Sequence, residues 1–201
     1  MSQVLTLLVE GEGDALAVPG LVLRLLREAG HEAWTVKKPK IVGGVGTLRK
    51  RMDDLAAYLR TEQPDGVLVL LDLDDGCPKQ EAAKLAAEWR AHALPFPIAV
   101  VLAHREFEAW LLASLPTIAR NVAELPNELT YDAEPEARRG VKKWLISQMP
   151  PGRGYKERLH QKAYAKHLDP TLAAKRSRSF RRLTTALAQL VQHAGTGTVT
   201  P

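Results

Sequence analysis

The sequence predicts an α/β fold: a mainly parallel sheet of about four strands flanked by helices, followed by a helical extension. Three observations carry this. Short apolar runs alternate with helix-period segments through the first 115 residues. The run Val67-Leu68-Val69-Leu70-Leu71 is apolar throughout, as in a strand covered on both faces. After Pro116 the strand pattern stops and only helical periodicity continues.

Residues 4–9 form the first strand, and a helix follows over 21–29, with Leu21, Leu25 and Leu26 on one side and Gly30 ending it. Residues 33–36 are a weak second strand. Leu48, Met52, Leu55 and Leu59 recur at helical spacing and mark a helix over 48–59; the third strand is 66–71. Residues 79–93 are helical, with Ala83, Ala86, Ala87 and Trp89 set among charges. Pro95 and Pro97 break the chain before the fourth strand at 98–102, and 106–115 is helical again. Strand and helix alternating in this way imply right-handed crossovers.

Beyond the α/β core at 1–118, residues 121–132 read as loop, 134–149 as a helix, 150–154 as a break, and 155–168 and 180–191 as two more helices. Phe180, Leu183, Leu187 and Val191 form a stripe that can dock on the core. The extension therefore covers 119–194 and is basic from about 151; residues 195–201 are expected to be a disordered tail.

Net charge is +5, unevenly placed. From Pro151 onward ten Lys and Arg face two acids, whereas the rest of the chain holds 18 basic and 21 acidic residues. A mildly acidic body with a basic tail points to a polyanionic partner, nucleic acid, and to a cation held by the body. The lone Cys77 excludes an internal disulfide and, with no second thiol, is a poor zinc ligand candidate. No apolar run approaches a membrane span, which predicts a cytoplasmic protein without membrane association.

In a parallel sheet every strand's carboxyl end lies on one edge, where ligands bind. Three predicted strands end there in acids: Glu10-Gly11-Glu12-Gly13-Asp14, Asp72-Leu73-Asp74-Asp75, and His104-Arg105-Glu106-Phe107-Glu108. Asp72 and Asp74 are two apart and point the same way on an extended backbone. Such a cluster suits a hard divalent cation, Mg2+ or Mn2+, of the kind that serves phosphoryl chemistry. Each acid also has an ordinary reading. Asp14 can cap a helix, Glu106 and Glu108 can complement a helix dipole, and Glu12 points away from Glu10. His104 reads equally as a structural hydrogen-bonding residue or as a ligand, since oxygen-rich Mg2+ sites seldom use imidazole. The glycines of residues 41–47 lack the Gly-Lys-Ser/Thr of a phosphate loop and read as a connector near Lys37, Lys38 and Lys40. In the tail, Arg158, Lys162 and Lys166 line one face of a helix with Lys156 at its start. Arg178, Arg181 and Arg182 add a second basic group. These six are the candidate nucleic-acid contacts, and Lys156 is a candidate to stabilise charge at the cation site.

Val9-Glu10-Gly11 with Asp14, followed by Asp72-x-Asp74, resembles the TOPRIM domain of topoisomerases, primases and the overcoming-lysogenization-defect nucleases. With residues 104–113 and 176–182, the chain resembles a TOPRIM-related bacterial family, domain of unknown function 4276, whose members often neighbour ATPases in defence-type loci. The resemblance implies a TOPRIM-like (Rossmann-like) core, with Glu10 as metal ligand or general base and Asp14 helping to hold a second ion. It makes Asp72 and Asp74 the principal Mg2+ ligands, with Glu106 or Glu108 completing the shell. The Gly11-Glu12-Gly13-Asp14 stretch is richer in glycine than the family pattern. No tyrosine is placed for topoisomerase strand passage. The function expected is Mg2+-dependent phosphodiester hydrolysis, as a DNA or RNA nuclease acting in phage defence with an ATPase partner. The alternative is a non-catalytic module that binds nucleic acid or a partner. A small-molecule phosphohydrolase of the haloacid dehalogenase type ranks last, because that chemistry puts its nucleophilic aspartate on the first strand, which here ends in glutamate.

Overall fold

A computed structural model describes residues 2–201. The chain runs from β1 (Gln3–Val9) into α1 (Glu12–Glu28), then through β2 (Trp34–Val36), β3 (Lys40–Ile41), α2 (Val45–Lys50) and α3 (Met52–Glu62) to β4 (Gly66–Leu73). α4 (Pro78–Arg90) leads to β5 (Ile98–His104), after which come α5 (Glu108–Ala113), α6 (Leu115–Ala119) and a 3-10 turn at Pro135–Ala137. α7 (Val141–Gln148), α8 (Glu157–Ala165), α9 (Pro170–Arg176) and α10 (Arg178–Gln192) precede β6 (Val199–Thr200).

All strand pairings are parallel, in the order β2-β1-β4-β5-β6 with β3 also on β1, so the sheet has six strands where the sequence suggests about four. The two additional strands hold two residues each, too few to show an alternating pattern. β6 also replaces the disordered tail expected over 195–201. It pairs with β5, Val199 is buried, and the Arg90 guanidinium donates to the Val199 carbonyl at 3.0 Å.

Strand residues alternate between two buried layers. Leu5, Leu7, Val9, Leu68, Leu70, Val101 and Ala103 face α1 and the helices from α5 onward. Leu8, Val67, Val69, Leu71, Val100 and Leu102 face α2, α3 and α4. The helical extension thus lies on one face of the sheet. Phe180, Leu183, Leu187 and Leu190 of α10 share a core with β5 and α1.

Helix boundaries differ where packing overrides local signals. α1 begins at Glu12, not at residue 21, although Pro19 lies inside it. Pro19 removes one N–H donor, but Ala17, Val18, Leu21 and Val22 are all buried around it, and that burial holds the helix through the defect. The helix expected over 134–149 is a 3-10 turn and a separate α7, because Gly140 at φ +67° turns the chain between them. Strand order reverses around β1: α1 crosses to β2 on one side, whereas β4 pairs on the other. The carboxyl ends of β1 and β4 therefore flank the crevice where such sheets bind ligands.

Candidate functional site

Four carboxylates converge at that crevice. Glu10 follows β1 directly, and its Oε2 accepts the Asp72 backbone N–H at 3.0 Å. The Gly43–Gly44 turn lies over it: Gly43 N–H donates to the Glu10 carbonyl at 3.2 Å, and a Cβ on Gly44 would sit 3.5 Å from Glu10 Oε1. The glycine-rich stretch is a backing for Glu10. Asp14, in the first turn of α1, accepts the Gly11 N–H at 3.0 Å through Oδ2. Burial raises its pKa to about 6, with the Glu10 charge adding to the effect and the Gly11 hydrogen bond opposing it.

Asp72, the next-to-last residue of β4, accepts the Phe107 N–H at 2.9 Å through Oδ1. Burial, and then the charges of Asp14, Glu108 and Glu10, push its carboxyl well above the usual range. Glu108, at the start of α5, is fully buried. Its Oε1 accepts from Gln161 Nε2 at 2.9 Å, whereas its Oε2 has no hydrogen-bond partner among the described residues. Burial raises the Glu108 pKa to about 7, against the pull of Lys142 and Gln161.

One cation answers this charge. Lys142 of α7 places Nζ 4.0 Å from Glu108 Oε2 and 2.5 Å from Glu157 Oε1. Burial opposes its charge, but Glu108, Glu157 and Asp72 together hold the ammonium above the usual lysine range. Tyr155 borders the cluster, and burial together with Glu108 pushes its phenol upward.

Glu10, Asp14, Asp72 and Glu108 are therefore brought together. Other candidates are not. Asp74 is exposed, and only its carbonyl is engaged, by the Arg105 guanidinium at 3.3 Å. Glu106 accepts the Val141 N–H at 2.9 Å, capping α7, and reaches the cluster only through its charge, which adds to the rise at Glu108. Lys156 is exposed before α8, with its backbone N–H donating to His160 Nδ1 at 2.7 Å; the lysine at the carboxylates is Lys142. Among the described residues, no three His, Cys, Asp or Glu side chains stand in metal-ligating geometry.

The six basic candidates divide between two helices. On α8, Arg158 pairs with Glu12 at 3.1 Å, and Lys162 and Lys166 are exposed farther along. On α10, Arg178 is exposed, and Arg181 donates to the Ala174 and Lys175 carbonyls at the end of α9. Arg182 is half-buried, which lowers its guanidinium from the usual range.

A second buried network positions the site from behind. Glu136 Oε1 accepts from Ser177 Oγ at 2.6 Å, Ser179 N–H at 2.8 Å and Ser179 Oγ at 2.6 Å. Ser179 Oγ also accepts from Trp110 Nε1 at 2.7 Å and from the His104 N–H at 3.3 Å, which joins the start of α10 to β5 and α5. Burial opposes the Glu136 charge, yet these donors hold its carboxyl below the usual range. Ser177-x-Ser179 ahead of an apolar stripe is a helix-start signal visible in sequence. Nothing local marks Lys142, Gln161 or Glu136.

A family model described as a domain of unknown function, DUF4276, matches residues 9–188, a span that holds every residue of the cluster. No curated protein and no solved structure matches the chain.

Proposed function

The chain belongs to the DUF4276 family, and from its carboxylate cluster we propose a divalent-metal-dependent phosphodiesterase, a DNA or RNA nuclease with a TOPRIM-like site. One observation carries this reading: four carboxylates meet at the switch crevice, and Glu108 Oε2 is buried there without a hydrogen-bond partner. Such an arrangement is costly with the lysine alone and is relieved by a second cation. The donors fit Mg2+ or Mn2+ by type, being hard oxygens. Glu10, Asp14, Asp72 and Glu108 would hold it by drawing closer around the ion, since among the described residues no three such side chains already stand in metal-ligating geometry. A divalent ion there supplies a Lewis acid that activates water and offsets charge on the phosphate.

The chain's own groups supply the rest. Glu10, oriented by the Asp72 N–H, would take a proton from attacking water. Lys142, held by Glu157, offsets charge on the reacting phosphate. Lys156, Arg158 and Arg178 sit at the helix starts nearest this edge and suit the polyanion backbone. The sequence resemblance supports an ATPase partner and a role in phage defence.

A second reading, a non-catalytic nucleic-acid- or partner-binding module, is favoured by Lys142, which already lies among the acids as a structural counter-ion. The test incubates the purified chain with single- and double-stranded DNA and RNA in Mg2+, Mn2+ or chelator, beside a Glu10→Gln/Asp72→Asn variant checked for folding by circular dichroism. Cleavage that needs the metal and is lost in the variant is the expected result. Cleavage retained by the folded variant overturns the proposal, and binding without turnover in every metal selects the second reading.

A further inference from the structure

Away from the carboxylates, α1 and α8 bound a surface groove of about 620 Å3. Two ties set its ends. Near the cluster, Gly13 lets Gln161 approach so closely that an added Cβ would stand 2.1 Å from Gln161 Oε1. At the far end, Arg24 reaches from α1 to the carbonyls of Lys166 at 2.7 Å and Leu168 at 2.8 Å. Between the ties, Leu16 and Gly20 of α1 face Leu159 and Ala163 of α8, with Lys162 and Lys166 along the rim.

Leu159 is 61% exposed and Leu16 is 42% exposed. Only four large apolar side chains of the described residues are exposed, and this one groove holds two of them, so the patch is not a scatter of single residues. The rim lysines are equally unspent. Arg158 at the near end is paired with Glu12, whereas no carboxylate among the described residues pairs with Lys162 or Lys166. On α8, residues 159, 162, 163 and 166 fall at i, i+3, i+4 and i+7, a single helical face about 10 Å long.

We propose that this groove receives an acidic amphipathic helix from a partner protein. Apolar residues at helical spacing would cover Leu16 and Leu159, and flanking carboxylates would meet Lys162 and Lys166, the pattern of helix-in-groove recognition. Nucleic acid fits less well. Phosphates would satisfy the lysines but leave both leucines in water, and no aromatic side chain lines the groove to stack a base. The groove also leads away from the carboxylates, because α1 descends from the carboxyl edge and α8 runs beside it with Gly13 at one tie and Arg24 at the other. This inference does not depend on hydrolysis, and its test reads binding alone.

The test pans a display library of random helical peptides against the folded chain and measures the enriched peptides by fluorescence anisotropy. Expected are sequences with Leu, Ile or Phe at i, i+3 or i+4, and i+7, flanked by Asp or Glu, with Kd in the micromolar range. Leu159→Asp, a change at an exposed site, should weaken them at least tenfold. Lys162→Glu/Lys166→Glu should do the same, with the larger loss at low salt. No enrichment, enrichment of basic or charge-indifferent peptides, or affinity unchanged in Leu159→Asp overturns the proposal. Dimerisation of the free chain abolished by Leu159→Asp overturns it in favour of a second copy. Oligonucleotide binding that needs the lysines but not Leu159 overturns it in favour of nucleic acid.

Discussion

Glu10 Oε2 accepts the backbone N–H of Asp72 at 3.0 Å, one step beyond the last ladder pair of β1 and β4, Val9 with Leu70. The carboxylate thus continues the sheet's hydrogen bonding past the point where the backbones part. It also keeps the two strand ends close, so the Glu10 and Asp72 charges are added to one small volume by the same contact that fastens them.

That tension makes Asp72 costly to the fold. Asp72→Asn removes a half-buried carboxylate repelled by Asp14, Glu108 and Glu10, while its Oδ1 can still accept the Phe107 N–H. The expected outcome is a Tm raised by a few degrees at pH 8, with loss of metal-stimulated hydrolysis, the trade-off of a strained site. Asp74→Asn is exposed and should leave Tm unchanged and reduce hydrolysis far less. Thermal melts with paired rate assays check this; an Asp72→Asn protein less stable than the parent would contradict it.

Stability should fall as pH rises from about 5 to 8. Asp14 is raised to about 6 and Glu108 to about 7, so in this window the folded chain binds more protons than the unfolded one. Their contribution is complete below the unfolded carboxyl range and is lost as pH passes the folded values. The two groups together lose roughly three units of displacement across this window; at about 1.4 kcal/mol per unit and about 2–4 °C of Tm per kcal/mol in a chain this size, a fall on the order of 10 °C is expected. Glu108→Gln should flatten the curve above pH 6. If the cluster takes a divalent cation, Mn2+ at pH 8 should restore part of the loss in the parent and little in Glu10→Gln/Asp72→Asn. Melts across pH with and without Mn2+ read both effects.

Much of this was legible in the residues, for physical reasons. The runs at 66–71 and 98–102 are strands covered on both faces, which leaves no polar alternation to blur them. Parallel strands end on one edge, which makes all six acids, Glu10, Asp14, Asp72, Asp74, Glu106 and Glu108, candidates in the sequence; the structure gathers four of them, Glu10, Asp14, Asp72 and Glu108. The start of α1 was hidden because Pro19 and Gly20 argue against a helix that only burial against the sheet sustains. Asp74 and Glu106 belong to the same strand-end runs as Asp72 and Glu108, and only the path of the chain beyond each strand separates them. The chain turns Asp74 into water once β4 has ended, and the docking of α7 gives Glu106 a different partner. Lys142 comes from that same α7, and no local spacing encodes where a helix docks from afar.

Gly13 is a point of closest approach between α1 and α8. A Cβ there would lie 3.0 Å from Glu157 Cβ and 2.8 Å from Gln161 Cδ. Gln161 is buried and donates to Glu108, so it cannot move aside without leaving that carboxylate emptier still. Gly13→Ala should cost about 1–3 kcal/mol through overpacking and push α8 off α1. Gly13→Ala/Gln161→Ala should recover part of the stability but not the environment of Glu108. Urea unfolding of the parent, both single variants and the double variant gives the coupling, and purely additive losses would contradict the contact.

Glu136 bears on the site without touching it. Its carboxylate gathers donors from Ser177 and Ser179 at the start of α10, and Ser179 in turn meets Trp110 and His104, so one buried charge locks α10 against the end of β5. Glu136→Ala strands these donors and should cost about 1–3 kcal/mol, whereas Glu136→Gln keeps an acceptor and should cost less. The pH sign is opposite to that of Glu108. The Glu136 carboxyl is held below its usual range, so its contribution is present above the unfolded glutamate value and is lost as pH falls through the folded one. The difference in Tm between parent and Glu136→Ala should therefore shrink below about pH 4. A constant difference from pH 3 to 7 would mean that the carboxylate charge adds nothing to the lock, leaving shape and neutral hydrogen bonds to hold α10 in place.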